Sequence, residues 1–137
     1  AAAVSRGTYV AQGGYVEALC FLTPDHRKYV KERPGYARVT PSNTFYLMNT
    51  ENGLLFNRGA WEIGARYDYL NLSNNGIDGG TASAYTSCIN WYLNSNVRVQ
   101  ANYSWIDRSF DVPGTVGTNG RVEGGFHSFG LRFNMDF

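Results

Sequence analysis

Apolar runs long enough to form a membrane-spanning helix are missing from this sequence of 137 residues, because none approaches the roughly 18 residues that such a helix needs. Charge is also scarce, since Asp, Glu, Lys and Arg make up 17% of the residues and the formal net charge is only +1. This balance gives no overall attraction to nucleic acid. A disordered chain is excluded as well, because 43% of the residues are hydrophobic and 15% are aromatic.

Cysteine and catalytic motifs are equally sparse. Cys20 and Cys88 are too few for a disulfide framework, and no CxxC or Cys/His spacing indicates zinc. The GxSxG and HExxH motifs are missing, and neither His26 nor His127 belongs to a recognisable catalytic or ligand pattern. The sequence therefore predicts neither an enzyme nor a cofactor or metal site.

What the sequence has in abundance is alternation of apolar and polar residues. Five segments follow a period of two, at residues 15–22, 61–69, 85–92, 97–106 and 129–137, and no segment sustains a period of 3.6. The polar segment Leu93–Asn96 predicts a tight turn between two of them. Longer loops are expected at residues 71–82 and 107–125, and a long connection at residues 23–59. The pattern predicts an all-β protein.

One face of every predicted strand carries no charged residue, and we call these positions the apolar face. Its members are Val16, Ala18, Cys20, Leu22, Trp61, Ile63, Ala65, Tyr67, Tyr69, Tyr85, Ser87, Ile89, Trp91, Val97, Val99, Ala101, Tyr103, Trp105, Phe129, Leu131, Phe133, Met135 and Phe137. The opposing positions form the polar face, and its charged members are Glu17, Glu62, Arg66, Asp68, Arg98, Arg132 and Asp136. Cys20 and Cys88 lie on opposite faces of strands that are not neighbours, so we expect no disulfide between them.

Strands with one charge-free face fit either a sandwich, which hides that face in a core, or a membrane barrel, which turns it toward lipid. Aromatic residues stand near both ends of the apolar face, as Trp61 and Tyr69 do on one strand and Tyr85 and Trp91 on another. Such paired ends are typical of the aromatic girdles of a transmembrane β-barrel. The pattern therefore favours the barrel, and the alternative is a soluble secreted β-sandwich that binds carbohydrate.

Several segments resemble the phosphate-selective porin family, the O and P type porins of bacterial outer membranes. They are Gly14–Ala18, Phe21–Thr23, Asp25–Arg27, Gly59–Tyr67, Asn90–Asn94, Asn96–Arg98 and Phe129–Phe133. The resemblance implies an antiparallel sixteen-stranded transmembrane β-barrel, usually a homotrimer, that lets anions and small polar solutes diffuse through a water-filled channel. Phosphate and polyphosphate are the candidate solutes. Because residues 1–137 supply five strands, we expect one domain, a C-terminal fragment of such a barrel whose true N-terminus and signal peptide are missing.

The resemblance also implies an orientation. The last strand of such a barrel ends in the periplasm, and the C-terminal Phe137 resembles the signal read by the barrel-insertion machinery. The turn at residues 94–96 and the long connection at 23–59 are then periplasmic. The loops at residues 71–82 and 107–125 are extracellular.

Positive charge is concentrated between Asp25 and Arg38. Five cations stand there against two anions, a local net charge of +3, and the cations are Arg27, Lys28, Lys31, Arg33 and Arg38. This basic insert is either a solvated periplasmic loop or a segment that folds back into the lumen and attracts anions.

The residues predicted to line the pore wall are Arg66, Arg98, Arg132, Glu17, Glu62 and Asp68. Because their three positive and three negative charges balance, we expect them to brace one another across neighbouring strands.

Overall fold

The computed structural model of the chain describes residues 8–32, 34–74, 79–111 and 121–137. These ranges contain the strands β1 (Gln12–Phe21), β2 (Tyr29–Val30), β3 (Gly35–Tyr36), β4 (Tyr46–Thr50), β5 (Gly53–Asn57), β6 (Ala60–Asn71), β7 (Thr81–Tyr92), β8 (Val97–Asp111) and β9 (Arg121–Met135). The all-β prediction is confirmed. Within the described ranges the structure contains no helix that could serve as a membrane span.

The five long strands form one antiparallel sheet in the order β1-β6-β7-β8-β9, and these are the five strands that the period of two predicts. Several predicted boundaries are wrong. Strand β1 begins at Gln12, β9 ends at Met135, and β8 extends to Asp111 and β9 begins at Arg121 where a loop was predicted. Polar and glycine residues obscure the pattern there, whereas backbone hydrogen bonding between neighbouring strands does not depend on side-chain type.

The long connection contains two hairpins that the sequence analysis missed. Strand β2 pairs with β3, and β4 pairs with β5 from Tyr46↔Asn57 to Thr50↔Gly53. Strands of two residues are too short to display a period. The β4–β5 hairpin carries apolar residues on both of its faces, so its strands show no alternation.

The chain divides into two compact units, and all five long strands contribute residues to both. The first comprises the described parts of Ala1–Glu17, Arg66–Thr86 and Ser104–Ser128. The second comprises the described parts of Ala18–Ala65, Ser87–Tyr103 and Phe129–Phe137, and it therefore holds both short hairpins.

Each unit has its own aromatic cluster on the apolar face. In the first unit, Tyr85 contacts Tyr67 and Trp105, with ring centroids 4.9 and 5.6 Å apart. In the second unit, Trp61 stacks on Trp91 with a centroid distance of 5.1 Å. The apolar face thus carries aromatic rings near the start of β6 and again further along the same strand.

The second unit contains a tight turn at residues 94–96 and a glycine, Gly59, at a position that excludes a side chain. The predicted turn at residues 94–96 is confirmed, and the side chain of Asn94 accepts hydrogen bonds from the backbone N–H groups of Asn96 and Val97, each at 2.8 Å.

Gly59 precedes β6 with a φ of +68°, and a Cβ at this position would overlap the backbone carbonyl oxygen of Tyr92. Only glycine adopts this positive φ and fits this close approach without strain.

Candidate functional site

The polar face of the first unit holds three of the predicted wall residues together. Arg66 donates through Nε to both carboxylate oxygens of Asp68, at 2.8 and 2.9 Å. Its guanidinium is also 4.0 Å from the carboxylate of Glu17, and β1 and β6 are neighbours in the sheet. The same guanidinium lies over the ring of Tyr15, 4.2 Å from its centroid. Arg66 is therefore held by two acidic side chains and one aromatic ring, all of them on the polar face.

Glu62 is the most buried of the predicted wall residues, with 1% of its side chain exposed. Arg27 donates to this carboxylate through Nε, 2.9 Å from Oε1, and through Nη2, 2.7 Å from Oε2. The hydroxyl of Tyr92 donates to Oε2 at 2.9 Å and accepts a hydrogen bond from Arg27 at 2.9 Å. Asn90 donates to Oε2 at 2.9 Å. These partners supply the hydrogen bonds that a buried carboxylate, shielded from bulk water, requires.

The hydrogen bonding continues along the polar face beyond Glu62. The side chain of Gln100 donates to Asn90 at 2.8 Å, and Asn134 donates to Gln100 at 3.1 Å. Because these residues belong to β7, β8 and β9, the network joins four neighbouring strands from β6 onward. Amide side chains fix one another's positions in such a network and leave it without net charge.

The remaining two wall arginines have different surroundings. Arg98 lies beside the ring of Tyr92, with its guanidinium carbon 5.6 Å from the centroid. Its Nε is buried and has no hydrogen-bond partner among the described residues. Arg132 is exposed and, within the described part of the chain, forms no ion pair.

The structure separates the five cations of the basic insert. Arg27 is bound to Glu62, and Arg38 lies 3.4 Å from the carboxylate of Asp136 in an exposed ion pair. Lys28 and Lys31 are exposed, and neither pairs with a carboxylate in the described ranges. Arg33 lies outside the described residues.

An open cavity of about 600 Å³ lies beside this insert, within the second unit. Three guanidinium groups line it, those of Arg27, Arg38 and Arg98, together with the turn at residues 94–96 and the end of β9. Carboxylates of Glu62 and Asp136 compensate the first two. Arg98 contributes positive charge to the cavity wall without an acidic partner among the described residues.

The first part of the long connection packs against the polar face. Val39 is buried with Ala60 and Tyr92 in a small apolar cluster, and Phe21 packs against this cluster. The rings of Phe21 and Tyr92 are 6.1 Å apart. Because Phe21 and Tyr92 are polar-face positions, this contact brings the basic insert onto the same face as Glu62.

A second contact fixes the start of the long connection. Asp25 accepts the backbone N–H of Ser42 at 2.7 Å. Burial by itself raises the pKa of the Asp25 carboxyl, but hydrogen bonds from Thr23 and Ser42 and the nearby His26 outweigh it and hold the pKa below its ordinary value. Asp25 therefore stays ionised as an acceptor that closes this loop at neutral pH.

The second part of the long connection packs on the opposite face. The ring of Phe45 meets the ring of Trp91 edge-on, with centroids 5.0 Å apart, and its backbone N–H donates to the carbonyl of Leu93 at 2.6 Å. Trp91 is an apolar-face position. The connection therefore contacts both faces of the sheet, the polar face through Arg27 and the apolar face through Phe45.

Among the described residues, the polar face offers charged groups and hydrogen-bonding groups. Within the described residues, no group of three or more His, Cys, Asp or Glu side chains could hold a metal ion. Cys20 and Cys88 are not joined by a disulfide in this structure. The ordered amides Asn90, Gln100 and Asn134 were missed by the sequence analysis because no motif marks them. Their position at alternate residues on the polar face is the signal that could have identified them.

Comparison with known proteins points in one direction. The sequence model of the family described as phosphate-selective porin O and P matches residues 2–135. An uncharacterized protein of Caulobacter vibrioides is 32% identical over 126 residues, which cover 91% of this chain and 23% of that protein. Porin O of Pseudomonas aeruginosa is 28% identical over 102 residues, which cover 68% of this chain and 20% of that protein. The chain thus spans less than a quarter of the length of either relative, and no solved structure matches it with significance.

Proposed function

Since the chain belongs to the phosphate-selective porin O and P family, we propose that it forms part of the wall of a water-filled channel in the bacterial outer membrane. The polar face lines the lumen, and the apolar face meets lipid. The whole channel is a sixteen-stranded barrel that assembles as a homotrimer. The turn at residues 94–96 faces the periplasm, and Phe137 is read by the insertion machinery.

One observation carries this proposal, the exposure of large apolar side chains along a face without charge. Tyr103, Phe133 and Leu131 are 46%, 61% and 71% exposed. In water such a surface is unfavourable, at about 25 cal/mol per Å² of exposed apolar area. A lipid environment removes that cost, and a charge-free outward face is what lipid requires.

The contacts within each unit support the same assignment. Arg66, Glu62 and their partners lie on the polar face. Ring stacking, such as that of Trp61 on Trp91, lies on the apolar face. A secreted β-sandwich would have to cover Tyr103 and Phe133 with a second layer of sheet. Their exposure favours the barrel over this alternative.

We extend the proposal to a preference for inorganic anions, with phosphate and polyphosphate as candidates. Its support is the exposed side chains of Lys28 and Lys31, which follow the bound Arg27 by one and by four residues. Cations beside a narrow aqueous path raise the local concentration of anions. The carboxylates of Glu62 and Asp136 compensate Arg27 and Arg38, so Lys28 and Lys31 supply the uncompensated charge among the described residues of the insert. Arg98 and Arg132 add positive charge from the proposed wall.

The channel is tested with the full-length protein in planar lipid bilayers. We expect stepwise conductance and a reversal potential under a salt gradient that indicates anion preference. The double variant Lys28→Gln with Lys31→Gln should lower the ratio of anion to cation permeability. Arg58→Gln is the matched control, because Arg58 is an exposed cation beside the apolar-face residues Trp61 and Trp91.

Two results would count against the proposal. A full-length protein that is soluble and monomeric without detergent, and that forms no conductance steps, would favour the secreted sandwich. Conductance with the same reversal potential in the double variant and in the unaltered protein would leave the channel but remove the role of the basic insert.

A further inference from the structure

The β4–β5 hairpin (Tyr46–Asn57) exposes more apolar surface than a short water-facing hairpin should. The side chains of Leu47, Leu54 and Phe56 are 59%, 66% and 55% exposed. Those of Met48 and Leu55 are 56% and 52% exposed. An exposed apolar patch of this kind marks a surface that another apolar phase covers.

Both faces of the hairpin are apolar. The register pairs Leu47 with Phe56 on one face and Met48 with Leu55 on the other. A protein partner or a second copy of the chain would cover one face of a two-stranded ribbon and leave the other in water. Apolar residues on both faces instead suit a medium that surrounds the ribbon, and lipid is such a medium.

The base of the hairpin is fixed to the apolar face of the sheet. Phe45 contacts both Phe56 of the hairpin, at 6.1 Å between centroids, and Trp91 of the sheet, at 5.0 Å. The carbonyl oxygen of Arg58 accepts the indole N–H groups of Trp61 and Trp91, at 3.1 and 2.7 Å. The exposed surface of the hairpin is therefore continuous with the tryptophan cluster that the proposed function turns toward lipid.

We infer that the β4–β5 hairpin is an interfacial anchor that lies in the lipid leaflet next to the periplasm, an assignment that rests on the proposed function. The outer edges of a two-stranded ribbon leave backbone N–H and C=O groups unpaired, so the hairpin stops short of the hydrocarbon centre. At the level of the headgroups, water and phosphate oxygens satisfy these groups while the apolar side chains contact acyl chains. Tryptophan favours the same depth.

The charges of the segment agree with this depth. Residues 45–57 contain no cation and a single anion, Glu51, in the turn between β4 and β5. Arg58 follows the hairpin directly and is exposed. An arginine there can reach a lipid phosphate while its aliphatic part stays against apolar surface.

The anchor is tested by fluorescence quenching in the full-length protein reconstituted into phospholipid vesicles. Cys20 and Cys88 are first replaced by Ser, and an environment-sensitive fluorophore is attached at Leu54→Cys. Two matched sites calibrate the signal: Lys31→Cys in the basic insert and Leu131→Cys on the apolar face of β9. We expect the label at position 54 to be quenched by spin-labelled lipid, and several-fold less by aqueous iodide than the label at position 31.

Each remaining result overturns the anchor in a distinct way. Strong iodide quenching and no lipid quenching at position 54 would place the hairpin in water. Protection from both quenchers would indicate that protein covers the hairpin, either the rest of the full-length protein, a partner or a second copy. If position 131 is quenched by lipid and position 54 is not, the anchor fails and the proposed channel stands. If neither position is quenched by lipid and both are quenched by iodide, the proposed membrane function fails and the anchor fails with it.

Discussion

The guanidinium of Arg27 forms two parallel hydrogen bonds to the carboxylate of Glu62, at 2.9 and 2.7 Å. Arg27 comes from the long connection and Glu62 from β6, so this pair fixes the basic insert to the polar face of the sheet. The pair also cancels one of the positive charges that the insert brings. Anchoring and charge compensation are thus properties of the same contact.

Removing Arg27 should destabilise the protein more than removing Arg38. Arg27→Gln leaves Glu62, 1% exposed, without its cation. We expect a loss of roughly 2–3 kcal/mol, because Asn90 and Tyr92 still donate to the carboxylate. Arg38→Gln breaks an exposed pair and should cost at most about 1 kcal/mol. Urea unfolding of the full-length protein from lipid vesicles measures both values, and equal losses would contradict the special role of the buried pair.

Removing the carboxylate of Glu62 should increase the preference of the channel for anions. Glu62→Gln leaves the charge of Arg27 uncompensated on the proposed lumen wall, so the ratio of anion to cation permeability should rise. Reversal potentials in planar bilayers measure this ratio. Glu51→Gln, in the turn of the β4–β5 hairpin, removes the same charge away from the polar face and should leave the ratio unaltered. An unchanged ratio in Glu62→Gln with normal conductance would mean that permeating ions do not sense Arg27.

A charged residue on the apolar face should destabilise the folded protein in lipid. Ala65 is an exposed apolar-face position on β6. Ala65→Arg should destabilise the folded protein in lipid vesicles by roughly 2–4 kcal/mol if the residue lies near the bilayer midplane. Asn102→Arg places the same side chain on the polar face of β8 and serves as the control. Similar folding energies for the two variants would argue that hydrocarbon does not contact the apolar face.

Gly59 should not tolerate a side chain. Its φ of +68° and the backbone carbonyl of Tyr92 both oppose a Cβ there, so Gly59→Ala should destabilise by about 1–3 kcal/mol. Gly130→Ala is the control, because a Cβ at Gly130 meets no atom within 4 Å. Urea unfolding midpoints that shift equally in both variants would show that the position before β6 is not restricted.

The sequence predicted the strands and their faces because a period of two is a local property. Side chains at alternate positions point to opposite sides of a strand whatever the strand pairs with, so Glu62 and Arg66 could be assigned to one face and Trp61 and Ala65 to the other. The turn at residues 94–96 was equally local, since Asn94 bonds to backbone groups two and three residues away.

The two short hairpins and the partners of the cations were decided by tertiary structure. A basic insert at residues 25–38 has the same sequence pattern whether it is solvated or packed on a sheet, and only the fold brings Arg27 to Glu62, 35 residues away. The hairpin at residues 46–57 has no alternation because both of its faces are apolar. Composition and period report which residues avoid water, whereas which groups meet depends on how the sheet and the long connection pack in three dimensions.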